Sequence, residues 1–436
     1  MFKNVHIREI FSGSVFTIGY QTTGMLFGYI FVFIVSNKIG AGAVGIYQIA
    51  MQSITLASII ALFGTNQAII RYTSQLRVEK KESILKYIIR NNYFIIIITT
   101  ICLSLMFILL NKFFAATFLK NNTLGNVFII AGICVPFFAL NLFGVEIIRG
   151  LKVIKLSEFL RNLSLRIISL ITILVLLIFS LNKYSPVVAL AFGIIITSLM
   201  TLFFVFKLFL SKVSYKKDYI EFKKYFKTSK TMYQSILLMQ ISTIMPIFIL
   251  AYFSNPSEVG IYNVANRLAM LAGIIFTGVT TIVAPKFSEL FWSKKQEELQ
   301  KVVTMTSKIL FWTCGVLSIL LMIFSVPLLS LFGSEFTKGY VYLIILAFSN
   351  FFNAFTGPSG WLLDMIGASN FRRNILTFST IFTVLLMFSL IPLYGGLGLA
   401  VTILLNCVLS NSIGIFFIYK KYGINMVYLP LIFSER

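Results

Sequence analysis

Apolar runs of about 18 or more residues recur along the whole of this 436-residue chain. As a helix, a run of that length crosses a hydrocarbon layer roughly 30 Å thick. Only 12% of the residues are charged, whereas a soluble domain carries roughly 25%. The sequence therefore predicts an all-α integral membrane protein, because the bilayer is the solvent that suits most of its side chains.

Twelve apolar windows predict about twelve transmembrane helices in two sets of six. The first set is 14–36, 44–66, 92–110, 124–147, 167–181 and 187–206, and the second is 231–253, 259–283, 309–331, 340–362, 374–391 and 397–419. We expect an N-lobe at 1–210, a basic cytoplasmic linker at 211–230 and a C-lobe at 231–436.

Lysine and arginine are distributed unevenly between alternate loops. Of the 37 basic residues, 31 lie in one set of loops, 5 lie in the opposite set, and Arg267 lies inside a helix. Because basic residues concentrate in cytoplasmic loops, this pattern predicts a multi-pass membrane protein with both termini in the cytoplasm. Insertion topology thus explains the net charge of +23 without a nucleic-acid partner.

The sequence offers little for catalysis. His6 is the only histidine and no G-x-x-x-x-G-K-[ST] loop occurs, which excludes a two-histidine zinc motif and an ATPase site. The four cysteines lie in apolar segments without a C-x-x-C pair, an arrangement that does not favour a disulfide or a metal site. We therefore expect no enzymatic activity, no metal site and no cofactor, while coupling to an H⁺ or Na⁺ gradient stays open.

Two segments 215 residues apart repeat one short pattern. Residues 45–50 read GIYQIA and residues 260–265 read GIYNVA, so glycine and tyrosine match as well as apolar positions. At a nearby offset Glu146 corresponds to Asp364, each at the end of the fourth helix of its half. Six helices return the chain to its starting side, so the sequence predicts two parallel repeats, an arrangement in which transporters place the substrate path at the repeat interface.

Three short motifs follow one another in the second half of the chain. They are VGIYNVA at 259–265, LFGSEF at 331–336 and IPLYGGLGLA at 391–400. In this order they resemble the polysaccharide-flippase family of the multidrug/oligosaccharidyl-lipid/polysaccharide (MOP) exporter superfamily.

The resemblance implies a MATE-like, V-shaped transporter of twelve helices that works by alternating access. Its implied substrate is an anionic undecaprenyl-diphosphate-linked oligosaccharide, moved across the inner membrane for O-antigen or capsule synthesis. Membrane lipids and the polysaccharide polymerase machinery are the other implied partners.

Polar side chains form a stripe along the second helix of each half. At 100° per residue they project from one face, and because polar groups avoid lipid we expect them to line a cavity. Hydrogen bonding between packed helices is the alternative. The predicted substrate-binding residues are Gln48, Gln52, Asn66, Asn263, Asn266, Arg267 and Thr281.

Arg267 is the central candidate, because it lies roughly 12 Å inside its predicted helix at 1.5 Å per residue. An arginine at that depth costs several kcal/mol unless it is paired or hydrated, and its guanidinium matches phosphate oxygens in a bidentate way. Gating or coupling is predicted for Glu146, Asp364 and Pro246, two carboxylates at helix ends and one helix-bending proline.

Two other functions remain as alternatives. A MATE-type multidrug or cation exporter is disfavoured, because the first predicted helix, 14–36, contains no carboxylate. A membrane glycan polymerase or ligase is less favoured still, because the predicted outer loops are too short to hold a catalytic domain.

Overall fold

The computed structural model describes residues 5–179 and 181–428, and every regular element in them is helical. Ten helical segments of these residues are long and apolar enough to span a membrane. The last, Ser369–Tyr422, merges two helices across a kink at Gly395, and Thr243–Phe253 is the apolar end of a further helix. The fold is thus an all-α membrane fold of about twelve spans, as predicted.

The chain forms two compact units, Met1–Ser257 and Glu258–Arg436. The helices of the first unit are α1 (Val5–Lys38), α2 (Ala41–Leu62), α3 (Thr65–Val78), α4 (Glu82–Leu109), α5 (Asn111–Leu119), α6 (Asn126–Gly150), α7 (Ile154–Glu158), α8 (Ser164–Phe179), α9 (Ser185–Val205) and α10 (Tyr219–Phe253). Apolar α6 packs against α2, α3, α4 and α9. Gly132 permits close packing against α4, because a Cβ there would lie 3.0 Å from the Ser104 carbonyl oxygen.

The second predicted helix, 44–66, is too long. Phe63 and Gly64 both adopt left-handed backbone angles, with φ of 45° and 73°, and this turn separates α2 from α3. Asn66 was expected on the face that carries Gln48 and Gln52, but it belongs to the separate helix α3. The 100° projection therefore does not extend across the turn.

The fifth predicted helix, 167–181, begins too late. A π-helical turn joins α7 to α8, so this membrane helix runs over Ile154–Phe179. Leu160 and Leu163 are 0% and 8% exposed, and burying them extends the helix through a segment predicted as loop. Two arginines of that segment, Arg161 and Arg166, consequently lie inside the helix.

Helix α10 begins at Tyr219, inside the predicted linker 211–230, where the Asp218 carboxylate accepts a hydrogen bond from the Glu221 N–H at 3.0 Å. Tyr225 is fully buried. Its hydroxyl donates to the Thr65 carbonyl oxygen at 3.0 Å, which ties α10 to α3. The seventh membrane helix thus packs inside the first compact unit, while the lobe boundaries at 210 and 231 rest on the internal repeat and stay a prediction.

The second unit contains α11 (Pro256–Trp292) from Glu258 onward, followed by α12 (Gln296–Leu310), α13 (Val316–Ile323), α14 (Ser325–Ser330), α15 (Tyr340–Thr356), α16 (Ser359–Met365) and α17 (Ser369–Tyr422). A π-helical turn joins α12 to α13 into one span, Gln296–Ile323. The ninth predicted helix, 309–331, therefore begins too late and ends too late. The tenth predicted helix, 340–362, is interrupted, because Gly357, with φ of 70°, separates α15 from α16.

Candidate functional site

The polar stripe of the first unit is partly buried within that unit. Gln48 of α2 is 7% exposed, and Gln52, one turn further along the helix, is half-buried. Asn66 is also half-buried, at the beginning of α3. Their proposed contact with substrate stays a prediction.

In the second unit Arg267 and Asn263 form a direct pair. The Arg267 Nε donates to the Asn263 Oδ1 at 2.8 Å, and Asn263 is 5% exposed. Because α11 begins at Pro256, Arg267 lies about 16 Å along the helix, deeper than predicted. A buried amide thus orients the guanidinium inside this membrane span.

The other two residues of this stripe are not part of the pair. Thr281 is exposed and its hydroxyl donates to the Thr277 carbonyl oxygen of its own helix at 2.7 Å. It lies about 21 Å from Arg267 along α11 at 1.5 Å per residue. The Asn266 Nδ2 is 4.0 Å from the Met270 sulfur. Among the predicted ligands of this unit, the described contacts therefore join Asn263 to Arg267.

Arg166 of α8 also lies inside a membrane helix, the span Ile154–Phe179 of the first unit. It is about 18 Å from the beginning of this span at Ile154. Its Nη1 donates to the Asn162 carbonyl oxygen at 2.8 Å. The side chain rests against α1 at Gly24, where a Cβ would approach Nη1 to 2.7 Å. Sequence reasoning missed it, because Arg166 was assigned to a loop.

Glu146 is buried at the end of α6, with 5% exposure. Its carboxylate forms an ion pair with Arg161, which comes from the π-helical turn between α7 and α8. Arg149 is a more distant partner, with its Nη1 3.9 Å from the Glu146 Oε2. The sequence spacing of Glu146 and Arg149 indicates only a surface pair, so the main partner was missed.

Asp364 has a matching partner in the second unit. Its carboxylate pairs with Arg372, which lies in the first turn of α17, and the Arg372 Nη1 also donates to the Gly360 carbonyl oxygen at 3.0 Å. Each unit therefore pairs a carboxylate near the end of its fourth membrane helix with an arginine of the membrane helix that follows.

Pro246 is buried inside α10. The gating role predicted for Glu146, Asp364 and Pro246 stays a prediction.

Glu258, which sequence reasoning did not select, joins two of the motifs that carry the family resemblance. Its Oε1 accepts hydrogen bonds from the Tyr342 hydroxyl at 3.0 Å and from the Gly396 N–H at 2.7 Å. The VGIYNVA motif follows this carboxylate, and the IPLYGGLGLA motif contains the glycines that face it. These motifs therefore build a junction of α11, α15 and α17.

The chain matches two family models. One is described as polysaccharide biosynthesis protein and matches residues 10–291, and the other is MatE and matches residues 232–391. A similar protein, "Capsular polysaccharide biosynthesis protein CapF" of Staphylococcus aureus, is 25% identical over 277 residues, covering 62% of this chain and 68% of that protein. "Probable low-salt glycan biosynthesis flippase Agl15" of Haloferax volcanii is 26% identical over 194 residues, covering 41% and 40%.

Solved structures with the same fold include two transporters. The lipid II flippase MurJ, in an inward closed conformation, has a TM-score of 0.71 at 18% identity, covering 94% of this chain and 87% of that one. A multidrug resistance MATE family transporter of the MOP superfamily, in an inward-facing conformation, has a TM-score of 0.68 at 14% identity, covering 90% and 94%. At these identities the likeness shows the fold.

Proposed function

Since the chain belongs to the polysaccharide biosynthesis protein family of the MOP superfamily, we propose that it is a flippase for undecaprenyl-diphosphate-linked oligosaccharides. It moves these repeat units across the bacterial inner membrane by alternating access, as a transporter and not as an enzyme, for the synthesis of O-antigen or capsule. The relatives named for capsular polysaccharide and for a glycan flippase support this substrate class.

The observation that carries the proposal is the Arg267–Asn263 pair. A diphosphate that leaves the headgroup layer needs a cationic partner, because unpaired charge is costly in the bilayer. The Asn263 amide fixes Arg267 about 16 Å from the beginning of α11, and a guanidinium binds phosphate oxygens in bidentate fashion. Arg267 is therefore the proposed phosphate ligand during transit.

The direction of transport does not require a coupling ion. An anion that moves to the positive side gains about 2.3 kcal/mol per charge per 100 mV of membrane potential. Coupling to H⁺ or Na⁺ stays an open alternative.

Substitution of Arg267 tests the proposal in a strain that depends on this protein for its surface glycan. Arg267→Ala is expected to lower surface glycan at least about tenfold at near-normal protein abundance, because a charge-assisted hydrogen bond contributes about 1.5–3 kcal/mol. Arg267→Lys is expected to keep partial function, because it retains the charge without the bidentate fork. Arg373→Ala is the matched control, since Arg373 is an exposed arginine.

Two results would contradict a phosphate-binding role. One is a loss of protein abundance in step with activity in Arg267→Ala. The other is equal activity of Arg267→Gln and Arg267→Lys at equal abundance, because glutamine preserves hydrogen bonding without charge. Either result would make Arg267 a structural residue.

The MatE match over residues 232–391 favours a second candidate, a multidrug or cation exporter. Deletion of the gene distinguishes the two functions. A flippase deletion removes surface glycan and leaves drug susceptibility unchanged, whereas an exporter deletion has the opposite effect.

A further inference from the structure

A cavity of about 520 Å³ lies in the second unit, where α11 ends, α12 begins and α17 ends. Its wall combines aromatic rings with ammonium groups, contributed by Phe291, Trp292, Lys294, Lys421 and Tyr422. None of the residues discussed as substrate ligands or as charged pairs lines it. The cavity is thus distinct from the residues that are proposed to bind the transported substrate.

The depth of the cavity follows from helix lengths. Residues 396–422 of α17 form a helix about 40 Å long at 1.5 Å per residue, and the Gln296–Ile323 span is about 42 Å long. Both lengths match the roughly 40–45 Å of hydrocarbon plus headgroup layers. Their ends at Tyr422 and Gln296, which line the cavity, are therefore expected at the level of lipid headgroups.

The wall is held in place by hydrogen bonds between α12 and the segment that follows α17. The Gln296 Nε2 donates to the Tyr422 carbonyl oxygen at 2.7 Å. Gln300 exchanges two hydrogen bonds with the Asn425 backbone, both at 2.8 Å. Ile424 between them is 1% exposed. A wall fixed in this way reduces the entropy lost when a ligand binds.

The charges that face the cavity are cationic. In the described part of the chain neither Lys294 nor Lys421 forms an ion pair with a carboxylate, whereas neighbouring Lys295 is bound to Glu298 at 2.9 Å. Trp292 is 66% exposed, and tryptophan and tyrosine favour the membrane interface. The two ammonium groups suit a phosphate group, and the aromatic cluster beside them suits the apolar part of the same ligand.

We propose that this cavity binds the headgroup of an anionic phospholipid from the adjacent leaflet, of the phosphatidylglycerol class. Lys294 and Lys421 contact its phosphate, and Trp292 lies at the boundary between glycerol and acyl chains. Headgroup depth and the exposed indole favour a lipid over a soluble phosphate, which would gain nothing from the aromatic wall.

Fluorescence quenching in the full-length protein tests the site. The chain has three tryptophans, so Trp312→Phe and Trp361→Phe leave Trp292 as the only emitter. The protein is reconstituted into phosphatidylcholine vesicles that contain increasing fractions of brominated phosphatidylglycerol or, separately, of brominated phosphatidylcholine. We expect the brominated phosphatidylglycerol to quench Trp292 at much lower fractions.

Charge variants make the test specific. Lys294→Gln and Lys421→Gln are each expected to weaken apparent binding of phosphatidylglycerol about fivefold, because one interfacial lysine contributes about that factor. Lys420→Gln is the matched control, because it removes the same charge one residue away from a residue that lines the cavity. It should leave quenching unchanged.

Three results would overturn the proposal. They are equal quenching by the two brominated lipids, an equal effect of Lys420→Gln and Lys421→Gln, and relief of quenching by millimolar inorganic phosphate. The last result would identify a site for soluble anions in place of a lipid site. Far-ultraviolet circular dichroism of each variant verifies that the helices are intact.

Discussion

The Glu146 carboxylate is buried in the interior of the first unit, and the residue is only 5% exposed. Removing a charge from water costs several kcal/mol, and only a close countercharge offsets this cost. Arg161 supplies that countercharge from the next membrane helix. The pair thus fixes the end of α6 against the π-helical turn.

Breaking this pair on one side is expected to destabilise the protein. Glu146→Gln or Arg161→Gln should each lower the free energy of unfolding, by up to about 3–5 kcal/mol, because the charge that remains loses its close partner. The double variant should recover most of the loss, since it removes both charges. Thermal unfolding in detergent measures these differences.

An exposed pair provides the control for the buried one. Glu298→Gln, which breaks the exposed Lys295–Glu298 pair, should leave the unfolding temperature unchanged, because surface pairs contribute little. Additive losses in the Glu146→Gln/Arg161→Gln double variant would show that the two residues do not stabilise each other.

At the scale of elements, the long helix α17 is two membrane helices joined at Gly395. The backbone angles there, φ of 54° and ψ of −129°, lie in a region that only glycine adopts without strain. A Cβ at this position would also meet the Glu258 carboxylate, whose Cδ would be 3.0 Å away. Glycine therefore permits both the kink and the capping of the second helix.

Gly395→Ala is expected to destabilise the second unit by about 1–3 kcal/mol, the usual cost of one strained backbone position. The expected observation is a lower unfolding temperature in detergent. Gly278→Ala is the matched control, because a Cβ there has open space and alanine favours a helix by about 1 kcal/mol. A Gly395→Ala variant as stable as the parent would exclude Gly395 as the cause of the kink.

The sequence predicts most of the spans, because mean hydropathy over 18 residues reports burial in lipid directly. It fails where the helix continues past charged residues, as at Arg161 and Arg166. There Arg161 is paired with Glu146 of the preceding membrane helix, and Arg166 donates to the Asn162 carbonyl oxygen of its own helix. Mean hydropathy registers neither contact. The turn at Phe63–Gly64 was missed because phenylalanine rarely adopts a left-handed backbone.

The candidate site was predictable only where its contacts are local. Asn263 and Arg267 are four residues apart on one helix, so their contact follows from helical spacing. The junction at Glu258 joins residues 84 and 138 positions away in the sequence. No periodicity indicates such a contact, although the glycines at 395–396 mark one side of it.

At the scale of the whole molecule, the distribution of basic residues determines orientation. With Arg161 and Arg166 placed inside a membrane helix, 29 lysines and arginines remain in one predicted set of loops and 5 in the opposite set. Basic residues are retained on the cytoplasmic side during insertion. Both termini and the segment 207–218 between α9 and α10 are therefore expected in the cytoplasm.

Labelling of single cysteines in intact cells tests this orientation, after the four native cysteines are replaced. Substitutions of Lys38, Lys120 and Lys338 by cysteine should react with a membrane-impermeant thiol reagent, because these positions lie in the lysine-poor loops. Cysteines at Lys80 and Lys217 should react only after the membrane is permeabilised. All five positions are exposed, so a lack of reaction reports the side of the membrane and not burial.

Labelling of Lys80→Cys and Lys217→Cys in intact cells, with protection of the other three positions, would show that the orientation is the reverse of the predicted one. It would also place the end of α6, with Glu146, on the outer face.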